Sequence, residues 1–291
     1  MKKIILVLSL LLGACSQATP TPSQVDQLPA ETEATQVTQV PVQDASPAPF
    51  ATSLSSSSLL SGPLTLVAVG DSLTQGDGDD SGRGYPGRLL EMVNALRPGS
   101  TMTNLGQSGW SSDALIKGDQ GIENQLERAV VELQTATSQG RGAVALVWIG
   151  SNDLWYLYEY GGDVTDEGDA QDVQRFASNM DTIISRLRGT GAAVVVALLD
   201  DQSKRPVALK GEAFTAVTQD ELARMSVQVE RYNTIIVTKA AQYGALTVDF
   251  YNTDIFTNPV TLYEDGNHPN QAGYDLIAQS WWESVRSILG G

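Results

Sequence analysis

A serine and the only histidine of the chain are the residues whose chemistry matters most in this sequence. Ser72 follows the apolar run 64–69 in the segment Gly70-Asp71-Ser72-Leu73. A β-branched run that ends at glycine and polar residues predicts a buried parallel strand, with Ser72 at the carboxyl edge of the sheet. A serine hydroxyl becomes a nucleophile only where a base takes its proton. His268, in Asp265-Gly-Asn-His268-Pro269, is the one imidazole available.

The elements that must position these residues alternate between strand-like and helix-like runs. We predict strands at 64–69, 101–105, 143–149, 192–199 and 245–250, and helices at 85–96, 122–133, 173–187, 219–241 and 271–289. Alternation of this kind indicates a parallel sheet with right-handed crossovers. The predicted fold class is therefore α/β, with five parallel strands in a three-layer α/β/α sandwich.

Four polar segments follow a predicted strand or precede the last helix. They are Gly70-Asp71-Ser72-Leu73, the segment 104–109 around Gly106, Gly150-Ser151-Asn152-Asp153, and Asp265-Gly-Asn-His268-Pro269. Because a parallel sheet brings the carboxyl ends of its strands to one edge, these distant segments can meet in a single site.

The four segments resemble, in order, residue type and spacing, the motifs of the SGNH- or GDSL-type serine hydrolases, over residues 70–269. The resemblance implies a flavodoxin-like fold with strand order 2-1-3-4-5, and ester hydrolysis without metal or cofactor. It implies Ser72 as nucleophile, His268 as base and Asp265 as the residue that orients the imidazole. It also implies an oxyanion hole formed by the backbone N–H of Ser72, that of Gly106 and the Asn152 amide. We expect glycine at 106 because a side chain there would crowd the substrate.

Plainer interpretations of single motifs remain. A Gly-Asp-Ser segment after a strand is often a turn with a helix cap, and Asn152-Asp153 could only cap a helix. We expect Asp71 and Asp153 to bind nearby loop N–H groups rather than take part in chemistry. One histidine and one cysteine leave little for a metal site, so we expect no metal, and the resemblance implies no cofactor. The acidic segment 77–80 should be a solvated loop, with calcium binding as the alternative.

The N-terminal 62 residues differ in composition from the rest of the chain. A basic start, a short apolar run and Leu12-Gly-Ala-Cys15 resemble a bacterial lipoprotein signal, which implies cleavage after residue 14 and lipid on Cys15. A plain secretory peptide is the alternative. The Thr-, Pro- and Ser-rich segment 15–62 predicts a disordered tether, and 63–291 the catalytic domain. The expected location is the outer face of a bacterial membrane, held through the lipid on Cys15.

Charge and aromatic residues bear on what the protein binds. A net charge of −16 argues against nucleic acid and against adsorption to anionic lipid. We expect a monomer. Trp155, Tyr156 and Tyr158 follow the Asn152 motif and could form a stacking wall for substrate, although helix packing is equally consistent with their spacing. The segments 154–168 and 200–218 should shape the pocket, because loops at this edge carry specificity.

The function predicted first is an exported carboxylic-ester hydrolase. Its substrate would be an acetylated polysaccharide or a short-chain acyl ester, small-molecule or polymeric, cleaved through an acyl-enzyme. A lysophospholipase or thioesterase acting on lipid esters is the second hypothesis. A catalytically idle surface binding protein on the same fold is the third, and an intact Ser72, Asp265 and His268 set disfavours it.

Overall fold

The computed structural model describes residues 59, 61–162, 164–211 and 214–290, and in them five strands form one sheet. The strands are β1 (Leu64–Gly70), β2 (Thr101–Asn104), β3 (Gly142–Trp148), β4 (Ala193–Leu198) and β5 (Leu246–Asp249). Every neighbouring pair is parallel, and the order is β2-β1-β3-β4-β5. The predicted strands and the implied strand order are therefore confirmed.

Helices cover both faces of this sheet. The longer helices are α2 (Gly84–Leu96), α4 (Gln125–Ser138), α6 (Asp166–Arg188), α8 (Gln219–Tyr243) and α9 (Gln271–Ile288). Shorter ones are α1 (Ser72–Gln75), α3 (Ser112–Lys117), α5 (Ser151–Tyr160) and α7 (Pro206–Lys210), which follows a 3₁₀ turn at Gln202–Lys204. Helix α2 packs on α9, and α6 packs between α4 and α8, so two helix layers enclose the sheet.

Two predicted helix starts differ from the structure because side-chain caps decide them. Helix α4 begins at Gln125 rather than 122, since the Asn124 side chain accepts a hydrogen bond from the Glu127 N–H. Helix α6 begins at Asp166 rather than 173, since Thr165 caps the N–H of Gly168. Helices α1, α3 and α7 contain too few turns for a clear hydrophobic period, and the sequence analysis did not predict them. Helix α5 corresponds to the helix-packing alternative given for Trp155, Tyr156 and Tyr158.

The central strands β1 and β3 are buried along their whole length. Such strands are apolar without alternation because helices cover both faces of the sheet. Trp148, at the end of β3, stacks on Phe250 with ring centroids 4.3 Å apart and meets the edge of Trp281. This aromatic packing gives the carboxyl edge of β1 and β3 a rigid base.

Gly70 ends β1 at a point where no side chain fits. A Cβ at this position would lie 2.2 Å from Thr74 Oγ1 and 2.2 Å from the Trp148 carbonyl oxygen. Only glycine therefore lets the strand turn directly into α1, the helix that begins with Ser72.

The predicted signal peptide 1–14, Cys15 and nearly all of the predicted tether lie outside the described residues. Leu59 belongs to the predicted tether, yet its side chain is only 5% exposed and packs in the core. Packing of the catalytic domain thus begins before residue 63. Among the described helices, none combines the length and the apolar character that crossing a membrane requires.

Candidate active site

Ser72 is the first residue of α1, and one residue, Asp71, separates it from the end of β1. Asp71 caps this helix, and its Oδ1 accepts a hydrogen bond of 3.0 Å from the Leu73 N–H. The N–H of a first helical residue has no acceptor within the helix. The turn therefore presents both the hydroxyl and the N–H of Ser72 at the edge of the sheet. The expected structural role of Asp71 is confirmed.

A buried glutamine fixes the strand end that carries Ser72. Gln125 Oε1 accepts from the Gly70 N–H at 2.7 Å, and its Nε2 donates to the Gly70 carbonyl at 2.8 Å. The N–H of Gln107 donates to the same carbonyl at 3.1 Å. The sequence analysis missed Gln125, because its side chain reaches 55 positions back along the chain and no local pattern marks it.

The structure brings His268 and Asp265 to Ser72. His268 Nε2 lies 3.0 Å from Ser72 Oγ, and His268 Nδ1 lies 2.7 Å from Asp265 Oδ2. Partial burial acts to raise the pKa of Asp265, but hydrogen bonds from the His268 ring and from the N–H groups of His268 and Asn267 lower it to about 2. An ionised Asp265 accepts a hydrogen bond from Nδ1–H, which keeps the ring proton on Nδ1 and leaves Nε2 as the acceptor for the Ser72 hydroxyl.

The loop after α1 packs closely against the segment that carries His268. A Cβ on Gly78 would lie 2.5 Å from the Pro269 carbonyl oxygen and 3.0 Å from His268 Cβ. The Tyr274 hydroxyl donates to the Asp77 carbonyl at 2.9 Å. Close packing at Gly78 therefore supports the backbone of the segment that carries His268.

The acidic segment 77–80 differs from the solvated loop that we predicted. Asp79 is buried and forms an ion pair of 2.5 Å with the buried Arg88, and it also accepts from Ser81 and from the Gly84 N–H. Burial acts to raise the pKa of Asp79, but these hydrogen bonds outweigh burial and hold the pKa well below its usual range. The described residues contain no group of three or more His, Cys, Asp or Glu suited to a metal ion.

Gly106 is required for a reason other than the predicted one. A Cβ there would lie 2.4 Å from the Gln75 nitrogen and 2.6 Å from the Thr74 carbonyl carbon, so the backbone of α1, not substrate, excludes a side chain. The Gly106 N–H donates to Asn104 Oδ1 at 2.9 Å. This N–H is thus already bonded, and it can reach an oxyanion only as a shared donor or after Asn104 moves.

Asn152 and Asp153 lie in the first turn of α5, and both hold the loop that follows β2. Asn152 Nδ2 donates to the Trp110 carbonyl at 3.0 Å, which fixes the orientation of the amide. This hydrogen bond uses one of the two Nδ2 hydrogens, and the other can donate elsewhere. Asp153 Oδ2 accepts from the Ser112 N–H at 2.7 Å, and Oδ1 accepts from Arg175 at 2.8 Å. The structural role predicted for Asp153 is therefore confirmed.

The predicted stacking wall is wrong at two of its three positions. Trp155 and Tyr158 are 2% and 1% exposed and belong to the core. Trp155 stacks on Phe214 at 3.9 Å, and the Tyr158 hydroxyl donates to Asp169 at 2.9 Å. Tyr156 is 41% exposed, so its ring alone among the three is open to a ligand. The helical turn sends 155 and 158 inward, as the alternative of helix packing required.

Comparison with known proteins agrees with this geometry. The sequence model of the GDSL-like lipase/acylhydrolase family matches residues 68–276, which include all four polar segments. The chain belongs to this family. The predicted family is thereby confirmed, and membership makes the chain a carboxylic-ester hydrolase.

Three proteins similar to this GDSL-like hydrolase share between 16% and 24% of its residues over the aligned part. The uncharacterized protein YpmR of Bacillus subtilis is 24% identical over 232 residues, 77% of this chain and 82% of that protein. An acetyl xylan esterase variant from Geobacillus stearothermophilus has a TM-score of 0.52 at 16% identity, over 78% and 96% of the two chains. The esterase EstA from Pseudoalteromonas sp. has a TM-score of 0.53 at 16% identity, over 78% and 99%. At such identities the two structures show the shared fold alone.

A buried arginine joins the segment after β4 to the loop of the GDSL-like hydrolase that carries His268. Arg205 is 2% exposed and donates to both oxygens of Asp200, from Nε at 2.8 Å and from Nη2 at 2.6 Å. Its Nη1 donates to Asn267 Oδ1 at 2.9 Å. One planar guanidinium therefore binds a carboxylate and, on its other side, the residue before His268.

A backbone hydrogen bond reinforces this connection, since the Val207 N–H donates to the Gly266 carbonyl at 3.1 Å. The segment 200–218, predicted to shape the pocket, thus holds the loop of Asp265 and His268 in place. The sequence analysis did not identify Arg205 because its partner Asn267 lies 62 positions away.

We predict that Arg205→Lys lowers kcat by about 10- to 100-fold with little change in KM, because lysine cannot bind Asp200 and Asn267 together and His268 loses its exact placement. Asn267→Ala should act in the same direction while keeping the buried ion pair. Arg186→Lys, at a surface pair with Glu127, is the matched control. Kinetics, melting temperature and the NMR signals of the single imidazole would be measured. Unaltered kcat and imidazole signals in both Arg205→Lys and Asn267→Ala would contradict a positioning role.

Asp71 combines complete burial with an unpaired oxygen. Its Oδ2 has no hydrogen-bond partner among the described residues, and burial raises the pKa of the carboxyl from 3.8 to about 7. As pH rises from about 4 to 7, the unfolded chain releases this proton while the folded chain keeps it. The folded state therefore loses stability over that interval, and the loss is constant above it.

We predict that Asp71→Asn, which retains a capping oxygen but does not titrate, gains stability relative to the natural chain between pH 4.5 and 8. The gain should reach roughly 2–4 kcal/mol in the free energy of unfolding. Urea unfolding across this range is the measurement, with the exposed Asp220→Asn as the control for loss of a carboxylate. A stability difference that is constant with pH would show that the carboxyl of Asp71 is not destabilised by burial.

Proposed function

We propose that this hydrolase cleaves short-chain carboxylic esters, including acetylated carbohydrate, through an acyl-enzyme on Ser72. The observation that carries the proposal is the series Ser72 Oγ to His268 Nε2 at 3.0 Å and His268 Nδ1 to Asp265 Oδ2 at 2.7 Å. The carboxylate fixes the tautomer in which Nε2 can accept the serine proton, as nucleophilic activation requires.

In the first half-reaction, Ser72 Oγ bonds to the ester carbonyl carbon while its proton passes to His268 Nε2. The carbonyl oxygen becomes an oxyanion, which the Ser72 N–H and the Asn152 amide stabilise, with the Gly106 N–H as a shared third donor. Collapse of this intermediate breaks the bond to the alcohol oxygen. His268 gives its proton to the departing alcohol, and the acyl group remains on Ser72.

In the second half-reaction, water takes the place of the alcohol. His268 accepts a proton from the water as its oxygen attacks the acyl carbon, and the same donors bind the second oxyanion. Cleavage of the bond to Ser72 Oγ returns the proton to the serine and releases the carboxylic acid. The cycle consumes one water and needs no further reactant.

The choice of short acyl chains and carbohydrate is a proposal about the substrate. One neighbour of similar fold is an acetyl xylan esterase, although 16% identity supports only the shared architecture. The chain carries a net charge of −16, which disfavours an anionic substrate such as a lysophospholipid with an acidic headgroup. The profile of activity against acyl chain length decides between this class and the lipid esters.

We predict that Ser72→Ala lowers kcat by at least about 10³-fold without loss of the fold, because the nucleophile is removed and no large cavity forms. His268→Ala should cost about as much, since the two residues act as a unit. The natural chain should bind one fluorophosphonate at Ser72, as mass spectrometry would show. Ser138→Ala, an exposed serine on α4, is the matched control and should label like the natural chain.

Three results would count against the proposal in different ways. Near-normal turnover by Ser72→Ala would remove Ser72 from the chemistry. A natural chain that neither labels nor hydrolyses p-nitrophenyl acetate would favour an idle binding protein. Activity that rises steadily from acetyl to long acyl esters would favour the lipid-ester alternative.

We also propose that the chain is exported and held at a bacterial membrane by lipid on Cys15. The support is the sequence Leu12-Gly-Ala-Cys15 after a short apolar run, since small residues before a cysteine are typical of this modification. A single acyl chain binds membranes only marginally, so stable anchoring needs more than one. These residues lie outside the part that the structure describes.

We predict that Cys15→Ser moves the protein from the membrane fraction to the soluble fraction, or leaves it unprocessed, because the acceptor thiol is gone. Cell fractionation with labelling by a clickable fatty acid is the measurement. The Ser16→Ala variant, one residue further along, is the control and should stay lipidated. Membrane retention and label incorporation by Cys15→Ser equal to those of the natural chain would refute the anchor.

A further inference from the structure

Helix α5 has one face that starts in the active site and continues outward. Asn152, Tyr156 and Tyr160 are spaced four residues apart, so their side chains lie one above another on the same side of the helix. At a rise of about 1.5 Å per residue, this row extends about 12 Å from Asn152. Tyr156 and Tyr160 therefore form a stripe that leads away from the proposed oxyanion donor.

The two rings are exposed but not free to move independently. Tyr156 is 41% exposed and Tyr160 is 75% exposed, and their ring centroids lie 5.7 Å apart at an angle of 41°. The Tyr156 hydroxyl donates to the Gly109 carbonyl at 2.5 Å. A hydrogen bond at one end and a ring contact at the other thus hold the Tyr156 ring ready for a ligand.

The loop that binds Tyr156 also contacts the serine turn. The Gln107 N–H donates to the carbonyl of Gly70, and the Ser108 N–H donates to Gln75 Oε1 at 2.7 Å. The next residues of this loop carry the acceptors for Tyr156 and Asn152, which are the carbonyls of Gly109 and Trp110. The same loop therefore links the tyrosine stripe to the turn that carries Ser72.

The surroundings of the stripe indicate the chemistry of its ligand. Partial burial raises the pKa of the Tyr156 phenol, and the nearby Tyr160 and Asp119 raise it further. The phenol is therefore neutral, although a carboxylate lies near it. A chain with a net charge of −16 does not attract an anionic ligand to such a place. An open aromatic face suits a ring that stacks on one side and keeps its hydroxyls in water, whereas an acyl chain needs an enclosed pocket.

We propose that Tyr156 and Tyr160 form a binding platform for the sugar chain of an acetylated neutral carbohydrate whose acetyl ester lies at Ser72. The proposal rests on the esterase function above and adds the class of alcohol that the enzyme selects. Tyr156 stacks on the sugar that carries the ester or on the next sugar. Tyr160 stacks on a sugar further along the carbohydrate chain. A longer oligosaccharide should therefore depend on Tyr160 more than an acetylated monosaccharide does.

The test compares kcat/KM for acetylated xylotriose, acetylated methyl xyloside and p-nitrophenyl acetate, which has no sugar. Tyr160→Ala should lower the ratio of xylotriose ester to p-nitrophenyl acetate about three- to tenfold, and Tyr160→Phe should retain it. Tyr156→Ala should lower the ratio for both sugar esters. Val131→Ala, an exposed apolar residue on α4, is the matched control and should keep all three values.

Three other outcomes would contradict, in turn, the binding platform, the carbohydrate and the esterase function. Ratios equal to those of the natural chain in Tyr156→Ala and Tyr160→Ala, with p-nitrophenyl acetate still cleaved, would reject the platform and leave the esterase function standing. A selective loss with p-nitrophenyl octanoate instead of the sugar esters would make the stripe an acyl-binding surface and reject the carbohydrate. A natural chain inactive on all of these esters would reject the proposed function itself.

Discussion

Ser72 Oγ lies 3.0 Å from His268 Nε2, although the two residues are 196 positions apart in the chain. A hydrogen bond of this kind requires two independent loops to be placed within a few tenths of an ångström. On the serine side, the buried Gln125 holds both backbone groups of Gly70. On the histidine side, Arg205 holds the residue before the imidazole. These two supports hold the serine and the histidine at hydrogen-bond distance from each other.

Two buried ion pairs lie near this hydrogen bond. Arg205 with Asp200, and Arg88 with Asp79, are ion pairs with almost no exposed side-chain surface. Desolvation of both partners consumes most of the Coulomb attraction of such pairs, so they contribute little net stability, whereas loss of one partner costs several kcal/mol. Their geometric specificity suits a site in which small displacements reduce the rate. Asp71 lacks such a partner, which makes its burial costly at neutral pH.

Helix α5 performs two tasks with one short sequence. One side buries Trp155 and Tyr158 in the core and thereby fixes the helix on the sheet. A different side presents Asn152 and Tyr156 to the loop after β2, and Tyr160 lies one turn further along that side. Because the buried side fixes the helix, the exposed tyrosines need no enclosing wall of their own. This arrangement separates the residues that stabilise the fold from those that we propose to contact the sugar.

The sequence by itself determined the alternating strands and helices and their parallel arrangement, which follow from hydrophobic runs and from glycines at strand ends. Its four short motifs resembled a family, and that resemblance implied the strand order and pointed to Ser72, Asp265 and His268 as the candidate site. Only the tertiary structure decided that Trp155 and Tyr158 face inward, that Asn104 binds the Gly106 N–H, and that Gln125 and Arg205 support the site. Those facts depend on side-chain direction and on contacts between residues far apart in the chain, which local periodicity does not encode.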